Sequence, residues 1–186
     1  MEALLVSIGI VALAEIGDKT QLLTLVLAAR YKKPWPIVAG IFVATLVNHG
    51  IAGAVGAWLT KAMGPDVMRW ILGASFIAMA AWMLVPDKLD DDDSASKQRG
   101  GVFLTTAILF FFVEIGDKTQ VATVALAARF DSLAAVVMGT TIGMILANAP
   151  VAFFGDALAK KMPVRIVHVV TAVIFAALGV GVLAWG

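Results

Sequence analysis

The sequence predicts an all-α integral membrane protein in which six transmembrane helices form two inverted three-helix repeats. Composition is the first observation behind this prediction: the 186 residues are 61% hydrophobic and 15% charged, against about 25% charged residues in an ordinary soluble domain. Apolar stretches long enough to cross about 30 Å of hydrocarbon recur along the chain. The second observation is a charged seven-residue motif, Glu-Ile-Gly-Asp-Lys-Thr-Gln, which occurs at residues 15–21 and again at 114–120.

Each predicted span is an apolar stretch that ends at polar or helix-breaking residues. The six spans cover residues 3–29, 35–58, 67–85, 102–128, 133–154 and 164–185. Tryptophan favours the headgroup region of a bilayer, and it lies near predicted ends at Trp35, Trp58, Trp70, Trp82 and Trp185. The predicted division is a first repeat at 1–85, an acidic cytosolic linker at 86–101 and a second repeat at 102–186.

The two halves repeat each other at an offset of 99 residues. Residues 15–30 and 114–129 are identical at 12 of 16 positions, and Gly40 corresponds to Gly139. Three spans per half place the second half in the membrane the opposite way up. Inverted repeats of this kind are typical of transporters, in which the substrate site lies near the midplane between the repeats.

The distribution of Lys and Arg predicts the orientation. Three lie on the side of the 2–3 and 4–5 connections, and nine lie on the opposite side, at Arg30, Lys32, Lys33, Lys88, Lys97, Arg99, Lys160, Lys161 and Arg165. The side richer in positive charge faces the cytoplasm. Both termini are therefore expected outside the cytoplasm.

Both copies of the motif place charge in the middle of a predicted span, where charged residues are costly and seldom kept without a use. Residues three apart on a helix share a face, so Glu15 lies beside Asp18 and Glu114 beside Asp117. If the two copies meet at the pseudo-twofold axis, four carboxylates converge on one small volume. We therefore expect these four residues to bind a metal ion.

The motif lysines, Lys19 and Lys118, set the charge of the predicted site. Four carboxylates and two ammonium groups carry −2 when all are ionised, a charge that one divalent cation or two protons would neutralise. Because crowded carboxylates at low dielectric resist simultaneous ionisation, protons compete with metal for them, as in a cation/proton antiporter. In the simpler alternative, Glu15 pairs with Lys19 and Glu114 with Lys118 as structural ion pairs, which leaves both aspartates unpaired.

Oxygen donors dominate the motif, and oxygen ligands suit Mn²⁺, Ca²⁺ or Mg²⁺ better than Zn²⁺ or copper. Mg²⁺ gives up its water reluctantly, which favours Mn²⁺ and Ca²⁺. Neutral oxygens can come from Thr20, Thr119, Gln21 and Gln120. In an ideal helix, however, Gln21 lies about 120° from Glu15, so a local break is needed to bring it in.

A glycine occupies the third position of each motif, at Gly17 and Gly116. Glycine tolerates unwound backbone, and discontinuous helices occur at transporter sites, so each glycine permits such a break. In the alternative interpretation, each glycine only allows close helix packing.

Two asparagines, Asn48 and Asn148, lie within spans at nearly equivalent positions of the two halves. They can line the site or orient its carboxylates. His49 is more readily explained as a core histidine with satisfied polar atoms than as a ligand. His168, near the start of the last span, is expected at the membrane interface.

Two copies of the pattern E-x-G-D-[KR]-[ST], one in the first span of each half, resemble the signature of a small family of Ca²⁺/Mn²⁺–proton antiporters. This family includes bacterial MneA-type manganese exporters and eukaryotic Golgi and chloroplast proteins. The pattern matches at residues 15–20 and 114–119, and the resemblance extends over essentially the whole chain. It implies export of Mn²⁺, or transport of Ca²⁺, out of the cytosol. Because the chain lacks an N-terminal targeting extension, it is similar to bacterial members and is expected in the inner membrane.

The prediction is therefore a secondary transporter that exports Mn²⁺ in exchange for protons, with the ion as substrate and with no cofactor, enzymatic activity or nucleic-acid partner. The alternative is an exporter of amino acids or other small cationic solutes, because small exporters of this class have a similar chain length and number of helices. A wider apolar cavity lined by the asparagines would favour this alternative. An intramembrane hydrolase would need a water-activating motif, which we do not find. A non-transporting scaffold does not explain charge at the midplane. The sequence does not determine the oligomeric state, and a homodimer is one of the states that it allows.

Overall fold

The computed structural model describes residues 1–85, 101–155 and 163–185, which are helical apart from short connections. Eight helices lie in this part of the chain: α1 (Glu2–Glu15), α2 (Lys19–Tyr31), α3 (Pro34–Met63), α4 (Pro65–Trp82), α5 (Val102–Glu114), α6 (Lys118–Arg129), α7 (Leu133–Phe154) and α8 (Val164–Trp185). The acidic linker lies outside the described residues except for its last residue. So do five of the basic residues used to predict orientation, Lys88, Lys97, Arg99, Lys160 and Lys161.

Three of the described helices, α3, α7 and α8, are long and apolar enough to cross a membrane. Helices α7 and α8 begin and end where the sequence predicts. Helix α3 has 30 residues and is longer than predicted. It accommodates Pro34 in its first turn, where the missing backbone N–H would have no partner in any case. This all-helical structure agrees with the predicted all-α membrane class.

The first and fourth predicted spans are both interrupted at the motif. Residues 16–18 separate α1 from α2, and residues 115–117 separate α5 from α6. The backbone turns at Gly17, with φ of +82°, and at Gly116, with φ of +75°. Glycine adopts this left-handed region without the steric cost that a Cβ imposes. Of the two roles that the sequence left open for these glycines, the structure therefore shows the backbone break.

Each interrupted pair packs along one long helix of the other half. Helices α1 and α2 both contact α7, and α5 and α6 both contact α3. The crossings are close, because a Cβ on Gly40 would lie 2.8 Å from the Phe103 carbonyl oxygen and a Cβ on Gly139 would lie 2.6 Å from that of Leu4. Gly139 lies 99 residues after Gly40, and Phe103 lies 99 residues after Leu4. The two halves therefore make equivalent helix crossings.

The remaining helices, α4 and α8, pack against each other. Gly179 approaches Gly73 so closely that a Cβ would lie 2.9 Å from the Gly73 carbonyl oxygen. In the same contact Phe76 stacks on Phe175, the residue 99 positions later, with ring centroids 6.1 Å apart. Residues that correspond in the two halves therefore meet in this contact.

Candidate cation-binding site

Each backbone break is held by the glutamine at the end of its motif. The side-chain oxygen of Gln21 accepts a hydrogen bond from the Gly17 N–H at 2.8 Å. The side-chain oxygen of Gln120 accepts one from the Gly116 N–H at 2.7 Å. These bonds satisfy backbone donors that the break removes from the helix. The two amide oxygens thus stabilise the break, although the sequence had suggested them as neutral ligands.

The aspartate of each motif lies at the N-terminus of the second helix. Asp18 caps α2 and accepts a hydrogen bond from the Lys19 N–H at 3.0 Å. Asp117 is the N-cap residue of α6, and the Thr119 hydroxyl donates to its Oδ2 at 3.4 Å. The positive ends of two helix dipoles therefore face the two carboxylates, both of which are buried.

Three carboxylates from the two motifs come together. Carboxylate oxygens of Glu15, Asp18 and Asp117 all lie within 4.8 Å of one another, and all three residues are buried. Oxygens that bind one Ca²⁺ ion at about 2.4 Å can lie as far as about 4.8 Å apart. The cluster is therefore compact enough for a single cation of this size, and it draws on both halves of the chain.

The motif lysines contact the aspartates of the opposite motif. Lys19 Nζ lies 3.6 Å from Asp117 Oδ1, and Lys118 Nζ lies 3.9 Å from Asp18 Oδ1. These ion pairs link the two motifs, unlike the pairing within each motif that the sequence also allowed. The Lys19 side chain is 24% exposed and the Lys118 side chain 2%, so the two links differ in their access to solvent.

Glu15 is oriented by neutral donors. Its Oε1 accepts hydrogen bonds from the Thr20 hydroxyl and from Asn148 Nδ2, the latter at 2.9 Å. Asn148 is itself oriented by Thr24, whose hydroxyl donates to the asparagine Oδ1 at 2.7 Å. Glu15 Oε2 has no hydrogen-bond partner among the described residues, so this oxygen is available to a cation.

The fourth motif carboxylate, Glu114, is not among the three whose oxygens lie within 4.8 Å of one another, and it has contacts of its own. Its Oε1 lies 2.7 Å from His49 Nε2. Its Oε2 accepts from the Asn48 amide and the Thr45 hydroxyl, both at 3.4 Å. Asn48 also donates to the Phe111 carbonyl oxygen at 2.9 Å. Glu114 is therefore contacted by three side chains of α3, at Thr45, Asn48 and His49.

Several polar contacts of the motifs were not expected from the sequence. His168 Nε2 lies 2.8 Å from the carbonyl oxygen of Ile16, so His168 contacts the first break and is not simply an interfacial residue. His49 did have a signal in the sequence, because it stands 99 residues before Asn148. Thr24 had one as well, because it lies four residues after Thr20 and recurs as Thr123. Thr45 had none, since neither the repeat nor helical spacing relates it to a motif.

The composition of the cluster limits what it can bind. Its donors are oxygens, which suit hard divalent cations such as Mn²⁺ and Ca²⁺. Buried negative charges are costly without a counter-charge, and the two lysines offset only part of the charge of the four motif carboxylates. A divalent cation or protons can supply the remainder, so the two compete for the same oxygens.

Comparisons with known proteins find relatives over almost the whole chain. The family described as "Divalent cation/proton antiporter GDT1" matches residues 3–91 and 102–185. A Vibrio cholerae protein described as "Putative manganese exporter" is 50% identical over 176 residues, which are 94% of this chain and 87% of that protein. "GDT1-like protein 3" of Arabidopsis thaliana is 25% identical over 200 residues, which cover 94% of this chain and 68% of that protein. No solved structure shows significant similarity to the chain.

Proposed function

The chain belongs to the GDT1 family of divalent cation/proton antiporters, and we propose that it exports Mn²⁺ from the cytosol in exchange for protons. Ca²⁺ is the alternative ion for the same site. The observation that carries the proposal is the cluster of buried carboxylates formed by Glu15, Asp18 and Asp117. Mn²⁺ is favoured because the Vibrio cholerae relative, which is identical at half of the matched residues, is described as a manganese exporter.

The proposed exchange follows from charge balance at the cluster. The three carboxylates hold the cation, and Glu15 Oε2 supplies an oxygen that has no hydrogen-bond partner among the described residues. When the cation leaves, protons replace it, because the carboxylates would otherwise remain as uncompensated charge inside the membrane. Exchange of one divalent cation for two protons keeps the charge of the site constant, with Lys19 and Lys118 as fixed positive charges.

We place this site in a six-span protein built from two inverted repeats. Each interrupted helix pair, α1–α2 and α5–α6, forms one span, and α3, α4, α7 and α8 form the other four. Alternating access then comes from movement of one repeat against the other. Because the halves correspond in sequence, a movement that exchanges their surroundings brings Glu114 into the cluster in the place of Glu15. The termini lie outside the cytoplasm, and the acidic linker lies in the cytosol of a bacterial cell.

The polar residues around the carboxylates have supporting roles in this proposal. Asn148 and Asn48 donate to Glu15 and Glu114 respectively, which favours orientation of carboxylates over the lining of a wide cavity for an organic solute. Thr20 donates to Glu15 as well. Their common effect is to hold ligand oxygens in place before the ion arrives, which lowers the cost of binding.

Replacement of Asp18 or Asp117 by asparagine tests the proposal. Each change removes a carboxylate charge while it preserves side-chain size. We expect Mn²⁺-driven proton movement in proteoliposomes to fall to the level of protein-free vesicles. The measurement is the fluorescence of a pH-sensitive dye inside the vesicles after Mn²⁺ is added outside, and wild-type activity in either variant would refute the carboxylate site.

Asp66→Asn is the matched control. Asp66 lies in the first turn of α4 and is exposed, so the same chemical change there should leave exchange intact. Competition between Mn²⁺ and Ca²⁺ in the same vesicles identifies the preferred ion. If arginine or another organic cation drove proton movement and Mn²⁺ did not, the solute-exporter alternative would replace this proposal.

A further inference from the structure

The two motif glutamates have equivalent positions but chemically different partners. Glu15 is contacted by Asn148, and Glu114 is contacted by His49. The two partners are related by the same 99-residue offset as the motifs. An amide in one half of the chain is therefore replaced by an imidazole in the other.

The ring of His49 is poorly satisfied where it lies. The residue is fully buried, and its Nδ1 has no hydrogen-bond partner among the described residues. Its Nε2 lies 2.7 Å from Glu114 Oε1, so only one of the two ring nitrogens has a contact with a described polar group. The sequence favoured a core histidine with satisfied polar atoms, whereas Nδ1 is unsatisfied among the described residues. Since a buried polar atom without a partner destabilises the fold, such a ring beside a motif carboxylate points to a role in binding.

The surroundings of Glu114 make a mixed set of donors. Besides the imidazole nitrogen of His49, the set contains the glutamate oxygens and the hydroxyl oxygen of Thr45, which lies 3.4 Å from Glu114 Oε2. Asn48 directs its amide nitrogen at the same glutamate oxygen and so orients it. The Asp117 N–H donates to the Glu114 carbonyl oxygen at 3.1 Å, so this donor set adjoins the three-carboxylate cluster along the chain.

We propose that His49 and Glu114 form a second cation station in the transport path, and that the imidazole makes this station select Mn²⁺ over Ca²⁺. The inference rests on the proposed function, because it needs a divalent cation that passes through the motif site. When the two repeats move and exchange surroundings, Glu114 enters the cluster in the place of Glu15. His49 then lies beside the bound cation in the place of Asn148.

Ligand chemistry explains the selection. Ca²⁺ is bound in proteins by oxygen ligands, and the three-carboxylate cluster therefore accepts both ions. Sites with nitrogen donors bind first-row transition-metal cations such as Mn²⁺, with affinities that follow the order of that series. A station with one imidazole nitrogen thus retains Mn²⁺ and passes over Ca²⁺, which the oxygen-only station cannot do.

His49→Asn tests this inference, since it places in the second half the amide that the first half already has. Initial rates of proton movement in proteoliposomes, measured over a range of Mn²⁺ and of Ca²⁺ concentrations, give a KM for each ion. We expect the KM for Mn²⁺ to rise about 10- to 100-fold, the range found when a residue that tunes a metal site is lost. The KM for Ca²⁺ should change little. The ratio of the two constants is the readout, because a merely structural defect would affect both ions.

His168→Asn is the matched control. The protein has two histidines, and His168 contacts a backbone carbonyl oxygen rather than a carboxylate, so this change should keep the wild-type ratio. His49→Gln is a second variant in case His49→Asn does not give a monodisperse protein, and the same loss of Mn²⁺ preference is expected of it.

The possible outcomes separate this inference from the proposed function. Equal changes for the two ions, or an unchanged ratio, would overturn the role of His49 and leave the carboxylate site standing. Wild-type vesicles that respond to neither ion would overturn the proposed function and this inference with it. A selective loss of Mn²⁺ would support both.

Discussion

The two motifs contain the same seven residues but have different surroundings. In the first motif, Glu15 belongs to the carboxylate cluster, and the break is contacted by His168. In the second motif, Glu114 lies apart, beside His49. A Cβ at Gly116 would meet nothing within 4 Å. The same local sequence therefore has two environments in one chain.

The difference arises from helices distant in sequence. Helix α8 packs against α1, whereas its counterpart α4 packs against α6. The backbone breaks themselves are nearly identical, with φ of +82° and +75° at their glycines. Local sequence thus determines the shape of each motif, and the helices packed around it, α7 and α8 at the first motif and α3 and α4 at the second, determine its surroundings. In a transporter with alternating access, the two repeats have different surroundings in any one conformation. The two environments of this motif agree with that requirement.

The largest contrast should come from Glu15→Gln and Glu114→Gln in Mn²⁺ binding. Glu15 lies in the cluster and Glu114 does not. We expect the first change to lower Mn²⁺ affinity by more than about 100-fold and the second by about tenfold, since Glu15 belongs to the compact cluster in this conformation whereas Glu114 does not. Electron paramagnetic resonance titration of Mn²⁺ against the detergent-solubilised protein measures both affinities. Equal losses would mean that the two glutamates have equivalent roles.

Gly17→Ala and Gly116→Ala should differ in stability. Both residues have left-handed φ, so each alanine costs about 1–2 kcal/mol. At Gly17 the new Cβ would also lie 2.2 Å from Val164 Cγ1, and such overpacking adds about 1–3 kcal/mol. Thermal unfolding in detergent should give a lower Tm for Gly17→Ala than for Gly116→Ala. The reverse order would contradict the contact between α8 and the first break.

The smallest contrast is expected between Gln21→Leu and Gln120→Leu. Both glutamines accept a hydrogen bond from a motif glycine, but buried Gln21 also donates to the Ala147 carbonyl oxygen at 3.1 Å. At about 1 kcal/mol per hydrogen bond, the first change should lower the free energy of unfolding by about 2 kcal/mol and the second by about 1 kcal/mol. The same thermal measurement applies, and Ala147→Gly serves as a control that keeps the backbone acceptor.

Much of the site could be predicted because the motif is local. The spacing of Glu15 and Asp18, the repetition at 114–120 and the glycine in each copy all indicated paired carboxylates and permitted a break. The roles of Gln21 and Gln120 could not be deduced, because their partners are backbone N–H groups that become available only after the break forms. The 99-residue offset related His49 to Asn148, yet its importance appeared only when both side chains were found beside motif glutamates.

The sequence by itself determined the class of the protein, the repeat and the charged residues of the candidate site. These follow from composition, periodicity and identity between segments, which do not depend on long-range contacts. Only the tertiary structure decided that Glu15, Asp18 and Asp117 form the compact cluster while Glu114 contacts α3, and that Lys19 and Lys118 pair across the motifs. The physical reason is that two identical segments cannot differ through their own residues. Their difference comes from the helices packed around them, which sequence spacing does not specify.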